Sequence, residues 1–223
     1  MAISFDAGTH KTAATGTSLT YAHTVGVGSN RILWVGVQDG DSASDTITGV
    51  TYNSVSMTRV PSGFVGANNN SAYGYILVNP DSGTNNVVIS CSASHSLRSA
   101  CASYAGASQT GQPDSSTNSS GGPTTTPQLS ITTVADNSWA LGFIAGGDAI
   151  SAAAGTTLRG SGAGSAHQFA DKNGATSPAG GTTLDFTQAT SQEFNAVFGS
   201  ISPAGAAAAT TPNRGLGLMG VGQ

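Results

Sequence analysis

The sequence predicts an all-β protein, and three observations carry that prediction. Apolar residues fall in short runs rich in Val, Ile, Leu and aromatics, punctuated by Gly, Asn, Asp and Pro. No stretch of the 223 residues repeats apolar side chains with the 3.6-residue period of a helix. Charged residues make up only 8% of the chain, against roughly 25% in an ordinary soluble domain, while 31 residues are Gly. Ser, Thr, Asn and backbone supply the polarity instead. Many short strands at close spacing are the signature of a sandwich or barrel. The expected fold is an antiparallel β-sandwich, jelly-roll-like, of about 12–14 short strands.

Taken in order, strands are expected at 17–27, 31–38, 46–52, 55–60, 73–79, 86–93, 97–105, 128–134, 138–146, 155–160, 165–170, 182–187 and 193–201. Two kinds of strand stand out. Trp139, Leu141 and Phe143 alternate with Ala140 and Gly142, and Phe194, Ala196 and Phe198 alternate with Asn195 and Val197. By contrast, Ile32-Leu33-Trp34-Val35-Gly36-Val37 and Tyr75-Ile76-Leu77-Val78 are apolar on both faces. Such strands are central, or covered outside by a loop or another subunit. Between the strands, Asn79-Pro80-Asp81-Ser82-Gly83-Thr84 has turn chemistry: proline presets φ and glycine accepts φ > 0. Asn30 and Asn137 each precede an apolar strand carrying a tryptophan, a faint internal echo that a shared turn or a duplication explains equally well.

Residues 108–127 are low in complexity and read as a long surface loop within one domain spanning 1–202. An alternative is an interdomain linker. Residues 203–223 read as an extended C-terminal arm, because Gly and Pro exclude a useful helix. Arg214, Leu216, Leu218 and Met219 are its candidate partner contacts, with a frayed, undocked end as the alternative. Cys91 and Cys101 face each other if 87–93 and 97–104 form a hairpin turning near 96. A disulfide is then geometrically allowed, but two buried free thiols are the simpler reading.

Few constellations carry chemistry. Gly215-Leu216-Gly217-Leu218-Met219-Gly220 matches a dinucleotide fingerprint in letters alone, lacking the strand before and the helix after. Asp39, Asp41 and Asp45 crowd one loop and are a candidate Ca²⁺ site, although the EF-hand pattern fails at Ser44 and Val50. His10, His23, His95 and His167 stand in no motif, and Glu193 is the only glutamate. No catalytic set emerges, and no cofactor is expected. A net charge of -4 with scattered basic residues excludes a phosphate-binding face, so no nucleic-acid partner is expected. No apolar stretch of about 18 residues is present, so no helical membrane span is expected. Tyr21, Trp34, Tyr52, Tyr73, Tyr75, Tyr104 and Trp139 are candidates for stacking on sugars, though their positions in strand patterns favour the core.

The residues 32–37, 50–60, 75–80, 82–89 and 102–109, from Ile32-Leu33-Trp34 to Ala102-Ser103-Tyr104-Ala105-Gly106, resemble the β-sandwich modules common in tailed-phage virion proteins and in some bacterial surface proteins. The resemblance covers roughly 17–201. It implies a capsid-decoration, tail-ornament or adhesive role, and it carries over no catalytic residue. The low charge agrees with that expectation, because packing against another protein then strands few ions. The expected function is that of a structural phage protein, decorating the capsid or associated with the tail. Its expected partners are other virion proteins and copies of itself. The start Met1-Ala2-Ile3-Ser4-Phe5-Asp6 lacks a basic, apolar leader, so synthesis in the host cytoplasm and residence in the virion are expected. The alternative is a carbohydrate-binding domain contacting a host glycan.

Overall fold

The structure, a computed structural model, describes residues 1–160, 162 and 164–205. Its elements are β1 (Ser4–Val25), β2 (Ile32–Asp39), β3 (Ile47–Tyr52), β4 (Val55–Ser56), β5 (Thr58–Ala67), β6 (Asn70–Val78), β7 (Gly83–Ala105) and β8 (Ser115–Thr124). There follow β9 (Gln128–Thr132), β10 (Trp139–Gly146), β11 (Ile150–Ala152), β12 (Thr157–Arg159), β13 (His167–Asp171), β14 (Gly181–Gln188) and β15 (Gln192–Ile201). Every strand pair is antiparallel, as the sequence predicts for a β-sandwich.

The largest sheet has the order β4-β3-β7-β2-β6-β5, with β1 on the remaining edge of β7. The β1–β7 ribbon folds over on itself. Residues 97–104 of β7 pair with β2, whereas 87–91 pair with β3. Register shifts at Lys11/Ala14 and Gly16/Ser18 release the ribbon where it bends. The two halves then face each other: the Tyr21 hydroxyl lies 2.8 Å from Ser99 Oγ, and His23 lies between Thr9 and Ser103. A second sheet, β12-β13-β10-β15-β8, packs on the other face of β2, and β11-β14-β9 caps it from outside.

The result is four β layers enclosing three apolar cores. Leu33, Val35, Tyr52, Tyr73, Ile89 and Leu97 fill the core inside the folded sheet. Trp34, Tyr104, Leu141, Phe143, Phe169 and Val197 fill the core between the two large sheets. Leu129, Ile144, Leu184, Phe186, Phe194 and Phe198 fill the third. Strands β2 and β10 are buried along their whole length. The outer cover that β2 needs therefore comes from this chain's own folded ribbon. Phe194 and Phe198 face the third core while Val197 faces the central one, as their alternation predicts.

Glycines let the two large sheets close on their bulky residues. A Cβ on Gly36 would lie 2.2 Å from Phe143 Cγ, and one on Gly199 would lie 2.8 Å from Trp34 Cη2. Each large ring sits over a missing side chain, which permits dense packing without voids. Before β2 and β10, Asn30 (φ 56) and Asn137 (φ 63) adopt the same left-handed conformation. That conformation suits Asn better than most residues.

Three local expectations change. The hairpin turning near 96 does not form, because β1 is long enough to pair with β7 on both sides of the bend, over 83–90 and 95–105. Cys91 and Cys101 consequently lie on one strand, opposite Ile47 and Thr9, and both thiols are free and buried. Within 108–127, residues 115–124 form edge strand β8. It has no apolar side chain to announce it. The β15 ladder holds it, together with Asn118 Nδ2 donating to Ser62 and Phe64 carbonyls at 3.0 and 2.8 Å. Pro123 fits there because an edge strand tolerates a missing donor. Likewise β1 begins at Ser4 rather than near 17.

Candidate functional site

The loop after β2 meets the bend of β7 at one end of the sandwich. Asp39 closes β2 and is fully buried. Its Oδ2 accepts hydrogen bonds from Thr46 Oγ1 at 2.6 Å and from His95 Nδ1 at 2.5 Å, and its Oδ1 accepts from the Asp41 N–H at 2.9 Å. Asp41 Oδ2 accepts from the Ser96 N–H at 2.6 Å, tying the loop to the bend. Tyr73 on β6 fixes the far side: its hydroxyl accepts from the Thr46 N–H and donates to the Ser44 carbonyl.

Asp45 points elsewhere. It forms a two-point pair with Arg59, at 2.6 and 3.0 Å, and Arg59 also donates to the Ile47 carbonyl and Tyr75 hydroxyl. The Asp45 contact raises the Arg59 pKa further above its ordinary value, despite desolvation. The three carboxylates proposed for Ca²⁺ are therefore held by separate donors. What gathers around Asp39 instead is a mixed set. A carboxylate oxygen of Asp39, the Cys91 sulfur and a ring nitrogen of His95 all lie within 4.8 Å of one another. Sequence spacing gave no hint of this, since Cys91 and His95 reach Asp39 only through the bend of β7.

Burial disfavours the charged form of the remaining histidines. Burial pulls the His23 pKa down to about 4, against a smaller upward pull from Asp6. Ser103 Oγ donates to Asp6 Oδ2 at 2.7 Å, so toward His23 Nε2 it accepts. Nε2 then carries the proton, and Nδ1 accepts from Thr9. This is not a nucleophilic triad: the serine is buried and spends its only proton on the carboxylate. Burial, reinforced by the neighbouring His10, pulls His167 down to about 3. The two rings stack with centroids 4.1 Å apart. Cys101 is fully buried and its pKa rises to about 12, which makes it a poor nucleophile or ligand.

The aromatic candidates for sugar stacking are all interior. Trp34, Tyr52, Tyr73 and Tyr104 are inaccessible, and Tyr21, Tyr75 and Trp139 are buried too. They fill the cores, although Trp139 also borders a groove. The described residues also form open grooves, two of them substantial. One of about 660 Å³ is lined by hydroxyls from Ser115, Ser116, Thr117, Ser130, Thr132 and Thr182. The other, about 560 Å³, lies between Met1, Ile3, Trp139 and Pro203. Arg214, Leu216, Leu218 and Met219 lie outside the described residues. No protein-family model and no curated protein matches this chain.

Proposed function

We propose that this chain is a structural protein of a bacteriophage particle, decorating the capsid or associated with the tail, that works through contacts with neighbouring proteins. One observation carries the reading. Glu193 is the only glutamate among the eleven acidic residues, and each of the others, all aspartate, accepts a hydrogen bond from a donor of this same chain. The aspartate charges are engaged before any partner arrives. The surface left for recognition is hydroxyl, amide and backbone, with few exposed apolar side chains such as Val27 and Val134.

Such a surface can be covered by another protein without isolating an ion in a dry interface. Its contacts are insensitive to salt, since little of their energy is screened charge attraction. Weak contacts repeated over a lattice add through avidity. The rigid stack of four layers presents that surface, and the C-terminal segment supplies apolar residues to a neighbour. The test is to purify phage particles from the producing host and label them with antibody to this chain. Label on intact capsids or tails, retained in about 1 M salt, is the expected result. Deleting 206–223 is expected to weaken attachment while the circular dichroism stays that of the full chain. Unlabelled particles, or equal attachment of the truncated chain, would overturn the respective part.

A further inference from the structure

We propose that Asp39, Cys91 and His95 form a binding site for a single zinc-class divalent metal ion. The donor types argue for that class. Thiolate, imidazole and carboxylate together suit Zn²⁺ and its surrogate Co²⁺, whereas Ca²⁺ and Mg²⁺ take oxygen ligands. The geometry argues for the site. All three ligand atoms already lie within 4.8 Å of one another. Around a tetrahedral ion with bonds of about 2.0–2.3 Å, ligand atoms stand roughly 3.3–3.7 Å apart.

Loading therefore requires two small movements. The sulfur closes in, and the His95 ring, now 2.5 Å from Asp39, backs off by about 1 Å to admit the ion. His95 is the partner able to move. It sits on the β7 bend next to exposed Ser92, Ala93 and Ser94. Asp39 stays fixed, because Thr46 Oγ1 and the Asp41 N–H hold its two oxygens. Such outer partners orient ligating carboxylates in metal sites. Solvent reaches the site from the His95 side, whose side chain is 18% exposed, so water completes the fourth position. The bond to sulfur forms as the Cys91 thiol gives its proton to solvent, and the imidazole binds neutral, the proton now on Nδ1 giving way to one on Nε2 by exchange with solvent.

The bound ion would staple two pieces that only tertiary structure brings together, the end of β2 and the bend of β7. Its effect is on stability, and it is independent of whether the chain rides on a particle.

Cobalt titration of the freshly reduced chain tests this directly. The expected result is a thiolate-to-cobalt charge-transfer band that saturates at one ion per chain and is bleached by Zn²⁺. Zn²⁺ should also raise the melting temperature in a concentration-dependent way. Cys91→Ala should abolish the band, His95→Ala should weaken binding at least about tenfold, and Cys101→Ser should leave the band in place. The His95 side chain is partly exposed and Cys91→Ala removes a single sulfur, so these two variants disturb the core less than Asp39→Asn, which alters a fully buried hydrogen-bonded carboxylate. Absence of the band in the folded native chain, or its survival in Cys91→Ala, would overturn the assignment.

Discussion

Acid should destabilise this protein before its carboxylates are largely protonated, and two histidines set the scale. In the unfolded chain both titrate near 6.5, whereas in the fold His23 titrates at about 4 and His167 at about 3. Above 6.5 both are neutral in either state and add no pH dependence. Below 6.5 the unfolded chain takes up protons that the folded chain refuses. Stability is thus full at neutral pH and falls as pH drops from about 6.5 toward each folded value. Between about pH 7 and about pH 5, each histidine costs about 2 kcal/mol, about 4 kcal/mol together. That is a large share of the roughly 5–15 kcal/mol that holds a typical domain.

The groups facing these rings do not cancel the effect. Asp6 pulls His23 upward, but desolvation outweighs it. His10 and Arg98 push His167 further down, and His10 is itself lowered by burial. Unfolded carboxylates, with ordinary values of about 4, remain largely ionised over this range. Urea unfolding at the two pH values, followed by fluorescence of the buried Trp34 and Trp139, reads the difference. Histidine NMR titrations assign it. His167→Gln should remove about half of the pH dependence. A stability unchanged between pH 7 and pH 5, or either ring titrating near 6.5 in the folded protein, would refute the reasoning.

Two further predictions probe the packing. Gly36→Ala places a methyl 2.2 Å from Phe143 Cγ and should cost about 1–3 kcal/mol in denaturant unfolding. Combining it with Phe143→Leu should cost less than the sum of the two, and strict additivity would rule out the steric explanation. Arg159→Met should cost about 3–5 kcal/mol, because it removes the guanidinium that holds the buried Asp171 carboxylate at 2.7 and 2.8 Å and leaves that charge with the neutral Tyr104 hydroxyl and Asn173 N–H. Adding Asp171→Asn should recover part of that loss, and a single-variant loss below about 1 kcal/mol would contradict the structure.

The alternating and continuous apolar runs located most strands, and they marked β2 as needing cover on both faces. They did so because burial leaves its trace in local composition. Strands that bury little left no such trace. The segment Ser115-Ser116-Thr117-Asn118 and the first half of β1 are strands because β15 and β7 offer them unpaired backbone edges. A hydrogen-bonding edge belongs to the neighbour, so it is unreadable in the segment itself. The same limit hid the candidate metal site. Asp39 is distant along the chain from Cys91 and His95, and its approach to them depends on where one long ribbon bends.

The sequence by itself determined the class of the fold, the polarity without charge and the placement of aromatic residues in strands, since each is a property of composition or of period-two alternation. Tertiary structure decided that the cover over β2 is the chain's own, that the aspartates are occupied by internal donors, and that the Asp39 carboxylate gathers with the Cys91 and His95 side chains rather than with the carboxylates of Asp41 and Asp45. These are facts about which distant surfaces touch, and contact between distant segments is fixed only when the layers close around their cores.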